Sequence, residues 1–291
     1  MLHSRLLLPL LALSLSSGVI LSAPSQGQSR SGASPDMAAQ GMNSGPTYAD
    51  LASLADGAPL VVRAQIRRQT TLAPERARNL APGHARLYIE ARTQALLSGN
   101  VPVGEELRYL VDVPLDARGK VPKLKKREVL LFARPVPGRP GELQLMEPRA
   151  QLLATPELES RLRPILAEFA RTDVPPAITG VRDALSIEGT LVGESETQIF
   201  LETPDGAPAS LTIVRRPNQP ARWGASFGEI VDQSARPPQP QTLAWYRLAC
   251  GLPDRLPVTA SLSDDPQDQA RAARDYALVR EQLGECRRTR S

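Results

Sequence analysis

Histidine is nearly missing from this chain, with two in 291 residues, one of them His3 near the N-terminus. Any mechanism built on an imidazole base, Ser-His-Asp or Cys-His, would have to use His84. That residue follows Pro82-Gly83 at the mouth of an expected strand, where a turn or strand-edge role accounts for it. Cysteine is as scarce: Cys250 and Cys286 are the whole complement. One imidazole and two thiols do not make a closed zinc set, and neither cysteine lies in a C-x-x-C redox pattern. Lysine is absent outside one short stretch, and aromatic residues make up 4%. No phosphate-cradling glycine loop is present, so no cofactor is expected. Beyond the N-terminal segment no run approaches the length of apolar residues that a membrane span needs, so the mature chain is expected to lack one.

What is present begins with an export pattern. His3 and Arg5 precede the apolar run Leu6 to Leu15, and a weaker apolar segment, Gly18 to Ala23, follows. Cleavage after Ser25 would put Ala23 and Ser25 at the two selected positions, giving a signal peptide over 1–25. The alternative is an uncleaved anchor, which Pro9 and the interspersed serines disfavour. The expected location is therefore periplasmic or secreted. An even cysteine pair outside the cytoplasm reads as one disulfide, Cys250 to Cys286, with two buried thiols as the alternative.

Residues 26–46 are rich in Ser, Gly, Ala, Gln and Pro and read as a flexible linker. Thr47 to Asp56 reads as a short helix capped by Thr47. Five strands are expected next, over 59–70, 84–97, 106–115, 128–136 and 142–146. Five short strands suggest a small antiparallel barrel or sandwich for 47–150, an OB-like barrel being one candidate. An α+β domain is expected over 151–291. It opens on a helix capped by Thr155, with Pro164 expected to bend or break it. A short helix over 178–185 is expected, then a three-stranded meander over 190–203, 209–216 and 222–230. Two C-terminal helices close the domain, the second capped at Ser263 and Asp264 with Ala272, Tyr276, Val279 and Leu283 as its inner stripe.

The search for chemistry yields little. Gly193 to Thr197 (GESET) has the outline of a nucleophile elbow. Its fifth position is Thr197 rather than glycine, and it runs into a strand. Glu194 and Glu196 would share one strand face, as carboxylate pairs on solvent faces commonly do. The strongest surface signal is Arg118 to Arg127, where Arg118, Lys120, Lys123, Lys125, Lys126 and Arg127 gather six cations and no acid. All four lysines of the chain lie there, against 35 basic residues in total. Such a loop attracts anions; the bland alternative is a solvated tip that blunts sheet edges. The loop has no aromatic residue to stack on bases, which counts against nucleic acid.

Three stretches, VDVPLDARGKVPKLKKREVLLFAR, GESETQIFLETPDGAP and LAWYRLACGLP, together resemble a group of uncharacterised exported proteins from alphaproteobacteria. The resemblance runs from about Tyr48 onward and implies a Gram-negative periplasm. It carries no activity and no functional residues.

The expectation is thus a non-catalytic periplasmic protein that binds an anionic envelope component or another protein through the lysine loop. The alternative is a periplasmic hydrolase whose site uses Ser195 or separated carboxylates. The sequence leaves open whether there is any catalysis.

Overall fold

The first helix forms where its cap is strongest. Thr47 accepts the Asp50 N–H, and the Asp50 carboxylate accepts the Thr47 N–H, a reciprocal capping box that starts α1 (Tyr48–Ala55). A computed structural model describes residues 45–228 and 236–290. The expected signal peptide, nearly all of the expected linker and the end of the expected 222–230 strand lie outside the described residues.

After α1 come β1 (Leu60–Thr71), β2 (His84–Ser98), β3 (Glu106–Pro114), β4 (Glu128–Pro135), β5 (Leu143–Leu145) and β6 (Gln151–Leu153). They form an antiparallel sheet in the order β3-β2-β1-β4-β5, with β6 also on β4. Period-two alternation sends Ala85, Leu87, Ile89 and Ala91 of β2, and Leu107, Tyr109, Val111 and Val113 of β3, into one core. Three register irregularities between β1 and β2 bend the pair. The sheet curls until its edges meet at a single bridge, Arg108 to Glu142. It is not a closed barrel, because one bridge does not make a ladder between β3 and β5.

The chain then enters α2 (Pro156–Phe169), capped by Thr155 as its sequence predicts. This helix is not broken at Pro164. Pro164 and Ser160, whose carbonyl loses its donor, are both exposed, so water replaces the missing bond. Leu158, Leu162, Ile165 and Leu166 face inward and join the core of the first sheet.

The second sheet is a four-stranded antiparallel meander: β7 (Gly180–Glu188), β8 (Ser195–Glu202), β9 (Ser210–Arg215) and β10 (Arg222–Ser226), in the order β10-β9-β8-β7. The helix expected at 178–185 is instead strand β7. A bulge between Val181 and Asp183 brings Val181 and Ala184 onto the same strand face, so an i, i+3 spacing that imitates a helix serves a strand. Pairing along β8 over the whole of β7 decides the conformation.

Two further helices, α3 (Leu243–Gly251) and α4 (Pro266–Leu283), complete the described fold. The expected stripe Ala272, Tyr276, Val279 and Leu283 is buried, and three of these four join the second core. The cap of α4 is Asp265, two residues beyond Ser263, which turns its hydroxyl to Asp268. Trp245 packs against both cores, as does Cys286. Cys250 and Cys286 are joined by a disulfide, S–S 2.03 Å. The described residues form one compact unit of α+β type, with four α-helices. No helix among the described residues is long and apolar enough to cross a membrane.

Candidate functional site

The loop between β3 and β4 is ordered from its backbone outward. Asp116 turns the chain: its carboxylate accepts the N–H groups of Arg118 and Lys120, each at 2.8 Å, and its backbone exchanges bonds with Gly119 and Lys120. Gly119 takes φ 71°, a left-handed geometry that glycine adopts without a Cβ penalty. Further on, the Gln69 amide of β1 clamps the loop. It donates to the Pro122 carbonyl at 2.9 Å and accepts the Leu124 N–H at 2.5 Å. Leu124 is buried under that clamp. The Lys126 N–H reaches the Ile66 carbonyl, and the Arg127 carbonyl receives the Ile66 N–H, so the loop joins the sheet at β1.

All the anchoring runs through backbone atoms, Asp116, Gln69 and Leu124. The six charged side chains of Arg118, Lys120, Lys123, Lys125, Lys126 and Arg127 are exposed. None of them enters an ion pair among the described residues. Six like charges on a pinned loop give a net local positive potential that the single nearby Asp116 carboxylate, which takes two backbone N–H groups on one oxygen and pairs with none of the six, only partly offsets.

The residues of the hydrolase alternative lie elsewhere. Glu194, Ser195 and Glu196 line a groove of about 530 Å³ on the second sheet, together with the half-exposed Ile187 and Val214. The Glu194 carboxylate receives the Leu191 N–H of its own hairpin, and Glu196 receives the Gln198 amide. Ser195 is buried at the start of β8, with no base on its hydroxyl among the described residues. His84 is on the first sheet, with Nδ1 3.0 Å from the Pro82 carbonyl. No cluster of three or more His, Cys, Asp or Glu suited to a metal occurs among the described residues.

A buried polar network escaped the sequence reading. Asp275 of α4, fully buried, accepts the Thr197 hydroxyl and the Arg215 guanidinium, both at 2.5 Å. Ser186 bonds Thr197 at 2.8 Å and accepts from Arg271 at 3.0 Å, and Arg271 also pairs with Asp268. The network joins α4 to Ser186 of β7, Thr197 of β8 and Arg215 of β9, and so fastens the helix to three strands. Only the contact of α4 with the sheet brings these residues together, and no spacing announces it.

No family model matches this chain, and no curated protein is significantly similar to it.

Proposed function

We propose that the protein is an exported, non-catalytic binding module that docks to an anionic envelope surface through the Arg118–Arg127 loop. The observation that carries this reading is six exposed, unpaired cations on a loop held still by bonds that use none of their charges. Flexible cationic segments lose entropy on binding; a loop already pinned loses less. Lysine presents a compact, hydrated charge that suits a diffuse phosphate-rich surface better than a single planar anion. The signal over 1–25 supplies the route to the periplasm, where such surfaces lie.

The test is co-sedimentation of the mature chain with vesicles of phosphatidylglycerol and phosphatidylcholine, against phosphatidylcholine alone. Each basic residue near an anionic surface contributes about 1 kcal/mol, so replacing the four lysines by alanine lowers partitioning at least about tenfold even with partial screening. Equal partitioning of the variant and the wild type would overturn the reading. Fractionation of cells expressing the full chain checks the export step, and recovery in the cytoplasmic fraction would sink it.

A hydrolase remains the second reading, because Glu194 and Glu196 line one groove, with Ser195 buried between them on the opposite strand face. It predicts turnover of some ester or glycoside that Ser195→Ala or Glu196→Gln abolishes; a broad panel with no turnover counts against it.

A further inference from the structure

A second cationic feature lies on the outer face of the first sheet, and it differs in kind from the lysine loop. There a cleft of about 870 Å³ is bounded by Arg68 of β1, Arg76 of the following turn, Arg108 of β3 and Arg139 of the β4–β5 turn. Its floor carries Tyr88 of β2, beside the half-exposed Leu110 of β3, its cross-strand neighbour. Two acids, Glu90 and Glu142, stand among the arginines.

Gly141 makes this arrangement close enough to be a site. Its φ is 79°, and a Cβ placed on it would come 2.8 Å from the Glu106 carbonyl. Without that atom the turn presses on β3, and the Arg108 N–H reaches the Gly141 carbonyl at 2.8 Å. Arg139 and Glu142 are thereby set beside Arg108.

The charges are unequally engaged. Glu142 holds Arg139 at 3.2 Å, while Glu90 stands 3.8 Å from Arg68, too far for a firm hydrogen bond. The guanidinium groups of Arg76 and Arg108 have no partner among the described residues, and neither does the Tyr88 hydroxyl. Four cations against two carboxylates leave an excess suited to one or two negative groups. The interspersed acids would repel a continuous polyanion, but they are acceptors for hydroxyl donors. Guanidinium forks match carboxylate or phosphate, and an aromatic face with an adjoining leucine covers the apolar side of a ring.

We infer that this cleft binds an anionic saccharide: a ring bearing hydroxyls and one carboxylate or phosphate, the anion held by Arg76 and Arg108, the hydroxyls by Glu90 and Glu142, and the ring over Tyr88. The site is separate from the lysine loop and does not depend on that loop's role.

Calorimetric titration of the mature chain tests it, with glucuronic acid, glucose 6-phosphate, glucose and inorganic phosphate as probes. At least one of the two anionic saccharides binds about tenfold or more tightly than both the neutral sugar and free phosphate. Which of the two wins tells carboxylate from phosphate. Arg76→Gln with Arg108→Gln weakens that binding at least about tenfold at an unchanged melting temperature, because both side chains are exposed and unpaired. Tyr88→Ala weakens it several-fold, and the four-lysine variant leaves it within about twofold. Failure of both anionic saccharides at millimolar concentration, or wild-type affinity in the double arginine variant, overturns the assignment. So does phosphate binding as well as the sugars do, or an equal loss in the lysine variant.

Discussion

Two short segments of this chain are crowded with cations, and they behave oppositely. In Arg118–Arg127 the backbone is fixed and the charged ends are free. In 285–290 the side chains themselves are fasteners. Thr289 donates its hydroxyl and its N–H to Asp50 of α1, and the Arg290 N–H joins them. The Arg290 side chain reaches Glu147 and the Arg149 carbonyl, and Arg288 reaches Ser53. Thr47 donates to the Arg287 carbonyl, which ties the same segment to the cap of α1. The difference is made by the acceptors each segment meets. Asp50 and Glu147 stand under the second, whereas Asp116, the acid beside the first, turns one oxygen to N–H groups of its own turn and meets none of the loop's charged ends. A count of basic residues cannot separate fastened charges from free ones; the location of acids far along the chain does.

That contrast breaks first at the disulfide. Replacing Cys250 and Cys286 by serine leaves the 285–290 segment held only by its bonds to α1 and residues 147–149, and opens a loop whose ends lie 36 positions apart. The expected loss is about 2–4 kcal/mol, read as a melting temperature lower by roughly 5–15 °C, while vesicle binding persists at temperatures where the chain stays folded. Asp50→Asn comes next. It weakens the α1 cap and the Thr289 and Arg290 bonds together, at about 1–3 kcal/mol, and exposes the segment to proteases.

The same residue gives a pH signature. Burial alone would push the Asp50 carboxyl up, but the bonds from Thr289 and Thr47 outweigh it and hold the group below its ordinary 3.8. A carboxyl depressed on folding contributes stability that is fully present above the unfolded value and is lost as pH falls through the folded one. The wild-type excess over Asp50→Asn should therefore shrink below pH 3.8 and be steady above it, as thermal melts across that range will show. A difference that grew on acidification would refute this account.

Arg290→Ala should cost about 1–2 kcal/mol and leave vesicle partitioning alone. The four-lysine variant is the mirror case. Its melting temperature should stay within about 1 °C, in keeping with exposed charges that touch nothing, while partitioning collapses. If the lysine variant melted early, or the Arg290 variant lost the vesicles, the distinction between the two segments would fail.

Much of the fold could be read from local pattern. Thr47 and Thr155 cap where they stand, the alternation in β2 and β3 marks their buried face, and the stripe of α4 is the buried one. The cysteine pair also follows from the sequence, since only two are present. What could not be read depends on partners distant in the chain. β7 imitates a helix because one bulge realigns its apolar residues, and bulges are settled by the neighbouring strand. The curl of the first sheet shows in the bridge between Arg108 and Glu142, which come from separate segments of the chain. The lysine loop is legible because its charges are contiguous. The arginine cleft was not, because its four cations come from β1, the turn after it, β3 and the β4–β5 turn. Asp275 was hidden for the same reason, among partners up to 78 positions away.

The bond between Thr289 and Asp50 spans 239 positions. A buried carboxylate near residue 50 therefore stays short of donors until residues near 290 arrive. Synthesis runs from the N-terminus, so α1 is made long before these donors. The Cys250–Cys286 bridge ties the same late segment to α3, which packs on α1, so two distant fastenings hold one end of the chain against the other.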